Sequence, residues 1–370
     1  MPRKTRKHVG LIGLGIIGSR AAAGLRACGF TVFVWNRTPQ AAPNFLGSPA
    51  AVAEMCDLIQ IFVADGQALF DVIEAMGDKL TSEHVIICSA TVGLEATREA
   101  AKMVQAKGAR FLDAPFTGSK GAAEKRQLVY YVGGDEMTFL RAKPMLEANA
   151  KAIVQVGEIG HAAIVKIVTN MIAAVSIQTL AEALALATKA GVDPEIFSAA
   201  LEQNACRSGT MDLKLPKMIR GDFEPHFSLK HMFKDVQLGI QTANALGVEI
   251  PATTVTAGIL YGALNHGWGD LDFSAIFKTF GPQKQEGESA TLVVDDDKAA
   301  TAVEPTDDGA MQPPLEVVDS VPADAKNTSH DAAPPESSPP QTPATPPEGG
   351  EQDFAKPFNR IKRFFTPHGG

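Results

Sequence analysis

A doubly wound α/β sheet, followed by an all-α domain and a disordered C-terminal tail, is the fold this sequence predicts. Three observations carry that expectation. Over residues 8–160, short apolar runs alternate with Ala-, Leu- and Glu-rich helical stretches, the pattern of a parallel sheet covered by helices. From residue 161 to 281 the strand-like runs stop and long helical periodicities take over, as in a compact helical domain. Beyond residue 281 periodicity disappears, and 14 of the 24 prolines fall there, a composition unable to bury enough apolar surface to fold.

Charge divides the chain at the same place. Residues 282–370 hold 16 acidic and 7 basic side chains, so the formal net charge of −8 belongs to the tail. Residues 1–281 are close to neutral, with 27 basic against 26 acidic residues. The pI is therefore no guide to the ligand of the folded part; no nucleic acid is expected as a partner. A chain of 370 residues is long enough for one to three domains and a core that needs no staples. Cys28, Cys56, Cys88 and Cys206 show no C-x-x-C spacing, which argues against a disulfide framework and for a reducing, cytoplasmic setting. The apolar stretch Val9–Gly18 is too short to span a bilayer, and no transmembrane helix is expected. Its four glycines also read better as a strand and phosphate loop than as a secretory signal.

The strands expected in order are His8–Ile12, Thr31–Trp35, Leu58–Val63, His84–Cys88, Arg110–Asp113 and Leu128–Val132, with helices at Ser19–Cys28 and Leu94–Ala106. No strand is expected after about residue 156. The helical domain, 161–281, begins with a long run at Ala163–Ala190, broken by Gly191-Val192-Asp193-Pro194, and continues with Phe227–Leu246 and Thr253–His266. Residues 282–353 form an acidic, Pro-rich linker. Residues 354–370 differ: Phe358, Ile361 and Phe365 lie at i, i+3 and i+7 among Lys356, Arg360, Lys362 and Arg363. A short amphipathic helix opened by Pro357 would result, either inert or in weak contact with an anionic membrane surface or an acidic protein groove.

Gly13-Leu14-Gly15-Ile16-Ile17-Gly18 follows the first strand and opens the first helix, the setting of a Rossmann-type dinucleotide loop. The first glycine permits the tight turn, the second lets a pyrophosphate approach the backbone, and the third allows helix and strand to pack closely. The phosphates then meet the positive end of a helix dipole. At the end of the second strand stands Asn36-Arg37-Thr38 rather than an acid. A carboxylate repels a 2′-phosphate, whereas a guanidinium and a hydroxyl hold one. NADP(H) is therefore expected over NAD(H).

The segments VWNRT, DAPFTGSKGAAE, GHAAIVKIVTNM, FSLKHMFKD and GDLDFSA, in this order and spacing, resemble the β-hydroxyacid dehydrogenase family, within it most the glyoxylate/succinic semialdehyde reductase branch. The resemblance covers about residues 8–281. It implies that Lys166 acts on the substrate oxygen and that Asn170, four residues on and on the same helix face, orients it. Hydride arriving at an aldehyde carbon builds negative charge on oxygen, and a nearby ammonium stabilises that charge and donates the proton. The resemblance further implies that Thr117, Gly118 and Ser119 grip the substrate carboxylate, Thr117 standing where a serine is usual. Lys120 is left open between a contact to a distal carboxylate and a solvated loop charge. Val63, Ala64, Thr91 and Lys234 match positions that line the nicotinamide and close over the cofactor. Lys234-Asp235 reads equally as a pair on a solvated helix face.

Departures from the branch pattern at Gly160-His161-Ala162 and Lys120-Gly121-Ala122 leave the catalytic pair intact but bear on the substrate. His161 and His231 show no H-x-x-x-H spacing on a helix, and no metal is expected. The expected activity is NADPH-dependent reduction of a small aldehyde acid, glyoxylate or succinic semialdehyde, in a homo-oligomer. The alternatives are a 3-hydroxyisobutyrate-type 3-hydroxy acid dehydrogenase and a non-catalytic scaffold on the same fold.

Overall fold

The structure is a computed structural model and describes residues 7–281, all within the first of two compact units, Met1–Ser289. The expectations for 282–353 and 354–370 lie outside the described residues.

Five strands begin the fold: β1 (His8–Ile12), β2 (Thr31–Trp35), β3 (Leu58–Ile61), β4 (Val85–Cys88) and β5 (Arg110–Asp113). They are parallel and ordered β2-β1-β3-β4-β5. Their side chains are almost wholly buried in β1, β3 and β4, as parallel strands with both faces covered must be. On one face pack α1 (Ile16–Ala27) and α6 (Glu136–Glu147), around Leu11, Leu25, Ile87 and Met145. On the other pack α2 (Pro49–Met55), α3 (Gly66–Met76) and α4 (Leu94–Ala106), around Ile59, Ile61, Leu69 and Ile86. Ser48 and Asp65 cap α2 and α3 by accepting backbone N–H bonds from Ala51 and Ala68, which fixes where each chain segment leaves the sheet. Since the order reverses at β1, the crevice beyond the carboxyl ends of β1 and β3 is where such sheets take ligands.

The sheet is not wholly parallel. After β5 come a two-residue strand, β6 (Phe116–Thr117), the short α5 (Lys120–Glu124) and β7 (Leu128–Gly133), and β7 runs antiparallel to both β5 and β6. Only ten residues separate Thr117 from Leu128, too few for a parallel crossover. The longer connection through α6 restores parallel pairing for β8 (Ala150–Gly157). Being an exposed edge strand, β8 lacks the apolar run that marks the others.

From α7 (His161–Lys189) the domain is helical, with α8 (Pro194–Glu202), α9 (Gly209–Arg220), α10 (Leu229–Leu246), α11 (Pro251–Asn265) and a 3₁₀ segment, Phe273–Phe280. By length and apolarity alone α7 would pass for a membrane span, which the expectation built on Val9–Gly18 overlooked. It packs against α9, α10, α11 and the 3₁₀ segment, through Ile177, Leu180 and Leu184. Gly239 lets α10 come close: a Cβ there would sit 2.6 Å from Met171 Sδ. The start of α10 is held by buried Asp272, which pairs with Lys214 at 2.8 Å and accepts the backbone N–H groups of His226 and Phe227.

Candidate active site

The glycine loop is shaped by steric need. Gly13 has φ +94°, and a Cβ there would land on the Phe62 carbonyl oxygen. A Cβ on Gly18 would land on the Gly13 carbonyl oxygen. Gly15 differs, since a Cβ there would meet no protein atom within 4 Å. Gly15 also caps α1 without a side-chain hydrogen bond, which leaves the orphan N–H groups of the first turn without a side-chain acceptor from their own N-cap residue. Leu14 and Ile17 pack towards the core, whereas Ile16 is exposed.

Asn36, expected to touch the cofactor, has its amide engaged by the protein. Its Oδ1 accepts from the Leu14 N–H at 2.9 Å and its Nδ2 donates to the Thr38 carbonyl at 2.8 Å. Gln40, which sequence reasoning missed, donates from Nε2 to the Leu14 carbonyl at 3.2 Å. Asn36 and Gln40 therefore hold the loop in shape. Arg37 and Thr38 are exposed, and among the described residues their side chains make no hydrogen bond or ion pair. The tight turn, the open space at Gly15, the uncapped helix end and the unpaired Arg37 together fit a dinucleotide with its phosphates on α1.

Past the carboxyl ends of β3 and β4 lie Val63 and Ala64, then Thr91, half-buried or exposed at the crevice. Lys234 on α10 donates from Nζ to the Thr91 carbonyl, tying the helical domain to this loop. A Cβ on Gly93 would press on Leu238 of α10 at 3.1 Å, so the loop and α10 are in close contact there.

Lys166 and Asn170 share one face of α7. Lys166 Nζ donates to Asn170 Oδ1 at 3.1 Å, and Asn170 Nδ2 donates to Asp235 Oδ2 at 2.6 Å. Lys234 Nζ lies 3.0 Å from Asp235 Oδ1, at the distance of an ion pair but without hydrogen-bond alignment. Burial pushes the Lys166 ammonium below its ordinary pKa, Asp235 pulls it up and Lys234 pushes it down. Desolvation is thus the dominant influence, partly balanced by one carboxylate.

Asp235 is the residue sequence reasoning missed at this site. Its signal was periodic: Met232, Asp235, Val236 and Gly239 are buried together on α10, so the carboxylate sits on the core-facing stripe. It is 2% exposed, contrary to a solvated Lys-Asp pair.

Thr117 is half-buried on β6, paired with Val129 of β7. Gly118 has φ +138°, and a Cβ there would meet Leu128 Cδ2 at 2.8 Å. Ser119 precedes α5 without capping it, and Lys120 is half-buried. Among the described residues, the Ser119 and Lys120 side chains make no hydrogen bond or ion pair. Among the described residues, no hydrogen bond joins this loop to Lys166 or Asn170. A separate cavity of about 610 Å³ near the ends of β7 and β8 is lined by Asp135, Glu136 and Glu158. It holds none of the expected site residues, and its acidic wall would repel a carboxylate.

Residues 8–157 match the family described as the NAD binding domain of 6-phosphogluconate dehydrogenase. Residues 160–280 match that described as NAD-binding of NADP-dependent 3-hydroxyisobutyrate dehydrogenase. The chain is 32% identical over 282 residues to the chloroplastic glyoxylate/succinic semialdehyde reductase 2 of Arabidopsis thaliana, covering 73% of this chain and 78% of that one. The chain belongs to the β-hydroxyacid dehydrogenase family. This dehydrogenase also resembles the solved 3-hydroxyisobutyrate dehydrogenase of Mycobacterium tuberculosis, with a TM-score of 0.69 and 26% identity over 74% of this chain and 99% of that one. It is 30% identical to the cytokine-like nuclear factor N-PAC of Mus musculus, over 75% of this chain but 51% of that longer protein. As a β-hydroxyacid dehydrogenase it is an oxidoreductase with a nicotinamide dinucleotide as its cofactor.

Proposed function

We propose that this chain is an NADPH-dependent reductase of small aldehyde acids of the glyoxylate or succinic semialdehyde type. The observation that carries the reading is the Lys166–Asn170–Asp235 chain of hydrogen bonds, which holds one ammonium with protons to give in a desolvated crevice.

When bound, a reduced nicotinamide supplies hydride to a carbonyl carbon. The chain's own part is to hold the substrate and to manage charge on its oxygen. Thr117 and the backbone at Gly118 and Ser119 receive the carboxylate, with Lys120 free to reach a distal one. Lys166 Nζ stabilises the oxygen as it becomes negative and gives it a proton. Asn170, its Oδ1 turned towards Lys166 by the bond to Asp235, keeps the ammonium aimed. Arg37 and Thr38 receive the 2′-phosphate, which makes NADPH the preferred dinucleotide. A homo-oligomer formed through the helical domain would cover Ile172, Leu186 and Val255, large apolar side chains that one chain leaves exposed.

Oxidation of a 3-hydroxyisobutyrate-type hydroxy acid is the second reading, and one observation favours it. Burial lowers the Lys166 pKa, which leaves more of the residue neutral and so available to accept a proton. Steady-state rates in both directions, on a panel of aldehyde acids and their hydroxy acids from pH 6 to 10, test the two together. Faster NADPH-dependent reduction of the aldehyde acids supports the first reading. Turnover confined to hydroxy acid oxidation replaces it with the second.

A further inference from the structure

Lys166 and Thr117 come from different domains, and among the described residues no hydrogen bond joins the two side chains. What lies between them is Asp113, at the end of β5. Its carboxylate is 1% exposed, and its Oδ2 accepts the backbone N–H groups of Gly160 and Ala163, both at 3.0 Å. These are donors of the first turn of α7, which carries Lys166 three residues beyond Ala163.

The helix has no means of capping itself here. Its N-cap residue, Gly160, has φ +96° and no side chain, and a Cβ there would strike Leu94 Cδ1 at 2.6 Å. The acceptor that these N–H groups require is lent by a strand 47 residues upstream. Four residues on from the same carboxylate is Thr117. Around it the sheet is closed by Cys88 of β4 and Gly133 of β7, each paired with Asp113.

We propose that Asp113 is a positioning residue, whose buried carboxylate sets the placement of the Lys166 helix against the Thr117 substrate loop. The inference rests on the reductase reading, in which an ammonium on α7 must meet the oxygen of a substrate held by Thr117 and the loop that follows it. A displacement of about 1 Å between such groups costs on the order of 100-fold in rate.

The test is a double-mutant cycle on the full chain. Turnover of glyoxylate and succinic semialdehyde with NADPH is measured for wild type, Asp113→Ser, Asp113→Asn, Lys166→Ala and the Asp113→Ser/Lys166→Ala pair. NADPH affinity and binding stoichiometry are followed by fluorescence titration. Asp113→Ser keeps an acceptor on a shorter stem, and Asp113→Asn keeps one at the original reach.

The expected result is a loss of about 10- to 100-fold in kcat/KM for Asp113→Ser, with NADPH stoichiometry and Kd unchanged. Asp113→Asn recovers activity to within about threefold, the two N–H groups being served again. In the Lys166→Ala background the serine substitution costs nothing further, since the group it positions is gone. A loss that multiplies with that of Lys166→Ala, or that tracks a fall in NADPH stoichiometry, overturns the inference, as does an Asp113→Ser chain as active as wild type. A wild-type chain without turnover overturns the reductase reading and this inference with it.

Discussion

Asn170 Nδ2 donates to Asp235 Oδ2 at 2.6 Å, and this bond decides which way the asparagine amide faces. With its nitrogen turned to the carboxylate on α10, its oxygen is left for Lys166 on α7. The ammonium at the centre of the site is thus aimed by a residue from another helix. The same carboxylate lies beside Lys234, which reaches back to the Thr91 loop.

The pH dependence of reduction follows from those charges. With Lys166 as the proposed proton donor, kcat/KM for reduction should fall as pH rises through its pKa, which burial holds below the ordinary 10.5. Asp235 raises that pKa and Lys234 lowers it. Asp235→Asn is therefore expected to move the alkaline limb to lower pH, and Lys234→Met to move it to higher pH. A pH profile whose limb shifts in neither variant removes Lys166 as the titrating donor.

Gly15 separates cofactor binding from folding. Since a Cβ there meets no protein atom within 4 Å, Gly15→Ala should keep the wild-type melting temperature while weakening NADPH binding at least about tenfold, the methyl occupying the approach of the pyrophosphate. Gly18→Ala should instead destabilise the fold, by roughly 1–3 kcal/mol, because its Cβ has no room beneath the Gly13 carbonyl. Calorimetry beside fluorescence titration distinguishes the two. Equal thermal destabilisation by both substitutions would contradict this account of the loop.

In the proposed reading, Arg37 sets the choice of dinucleotide. A charged hydrogen bond to a 2′-phosphate is worth about 1.5–3 kcal/mol, so Arg37→Ala should raise the Kd for NADPH roughly 10- to 100-fold and leave that for NADH unchanged. Parallel weakening of both would place the arginine elsewhere than on the 2′-phosphate.

Buried Asp113 also leaves a mark on stability. Its pKa is raised from 3.8 to about 6, burial outweighing the N–H bonds from α7 and the nearby His161. A carboxyl whose folded-state pKa is raised adds stability below its unfolded pKa and loses it as pH rises through the folded value. The loss falls between about pH 4 and 6. Asp113→Asn has no proton to lose there, so its melting temperature should gain on that of wild type across this window. A constant difference in melting temperature from pH 4 to 7 would show that the carboxyl is not titrating in the fold.

Much of this was legible in the sequence because its signals are local. The glycine loop, the strands at His8–Ile12, Thr31–Trp35 and Arg110–Asp113, and the Lys166–Asn170 spacing each lie within a dozen residues. The antiparallel run of β7 was not legible, because strand direction depends on the length of a connection and on which edge remains open. The partners that organise the site were hidden for a similar reason. Asp113 and Ala163 are 50 residues apart, and Asn170 and Asp235 are 65 apart, and nothing near either carboxylate in sequence names its donor. The amide bonds of Asn36 to Leu14 and Thr38 were not legible either, because Arg37 beside it draws the reading towards the cofactor.

The most direct test of the central claim is NADPH-dependent turnover of glyoxylate and succinic semialdehyde by wild type and Lys166→Ala, with NADPH affinity measured in parallel. Loss of a positioned proton donor predicts a fall in turnover of roughly 10²- to 10⁴-fold, with NADPH binding unchanged. A Lys166→Ala chain that turns over at near wild-type rate would contradict the account.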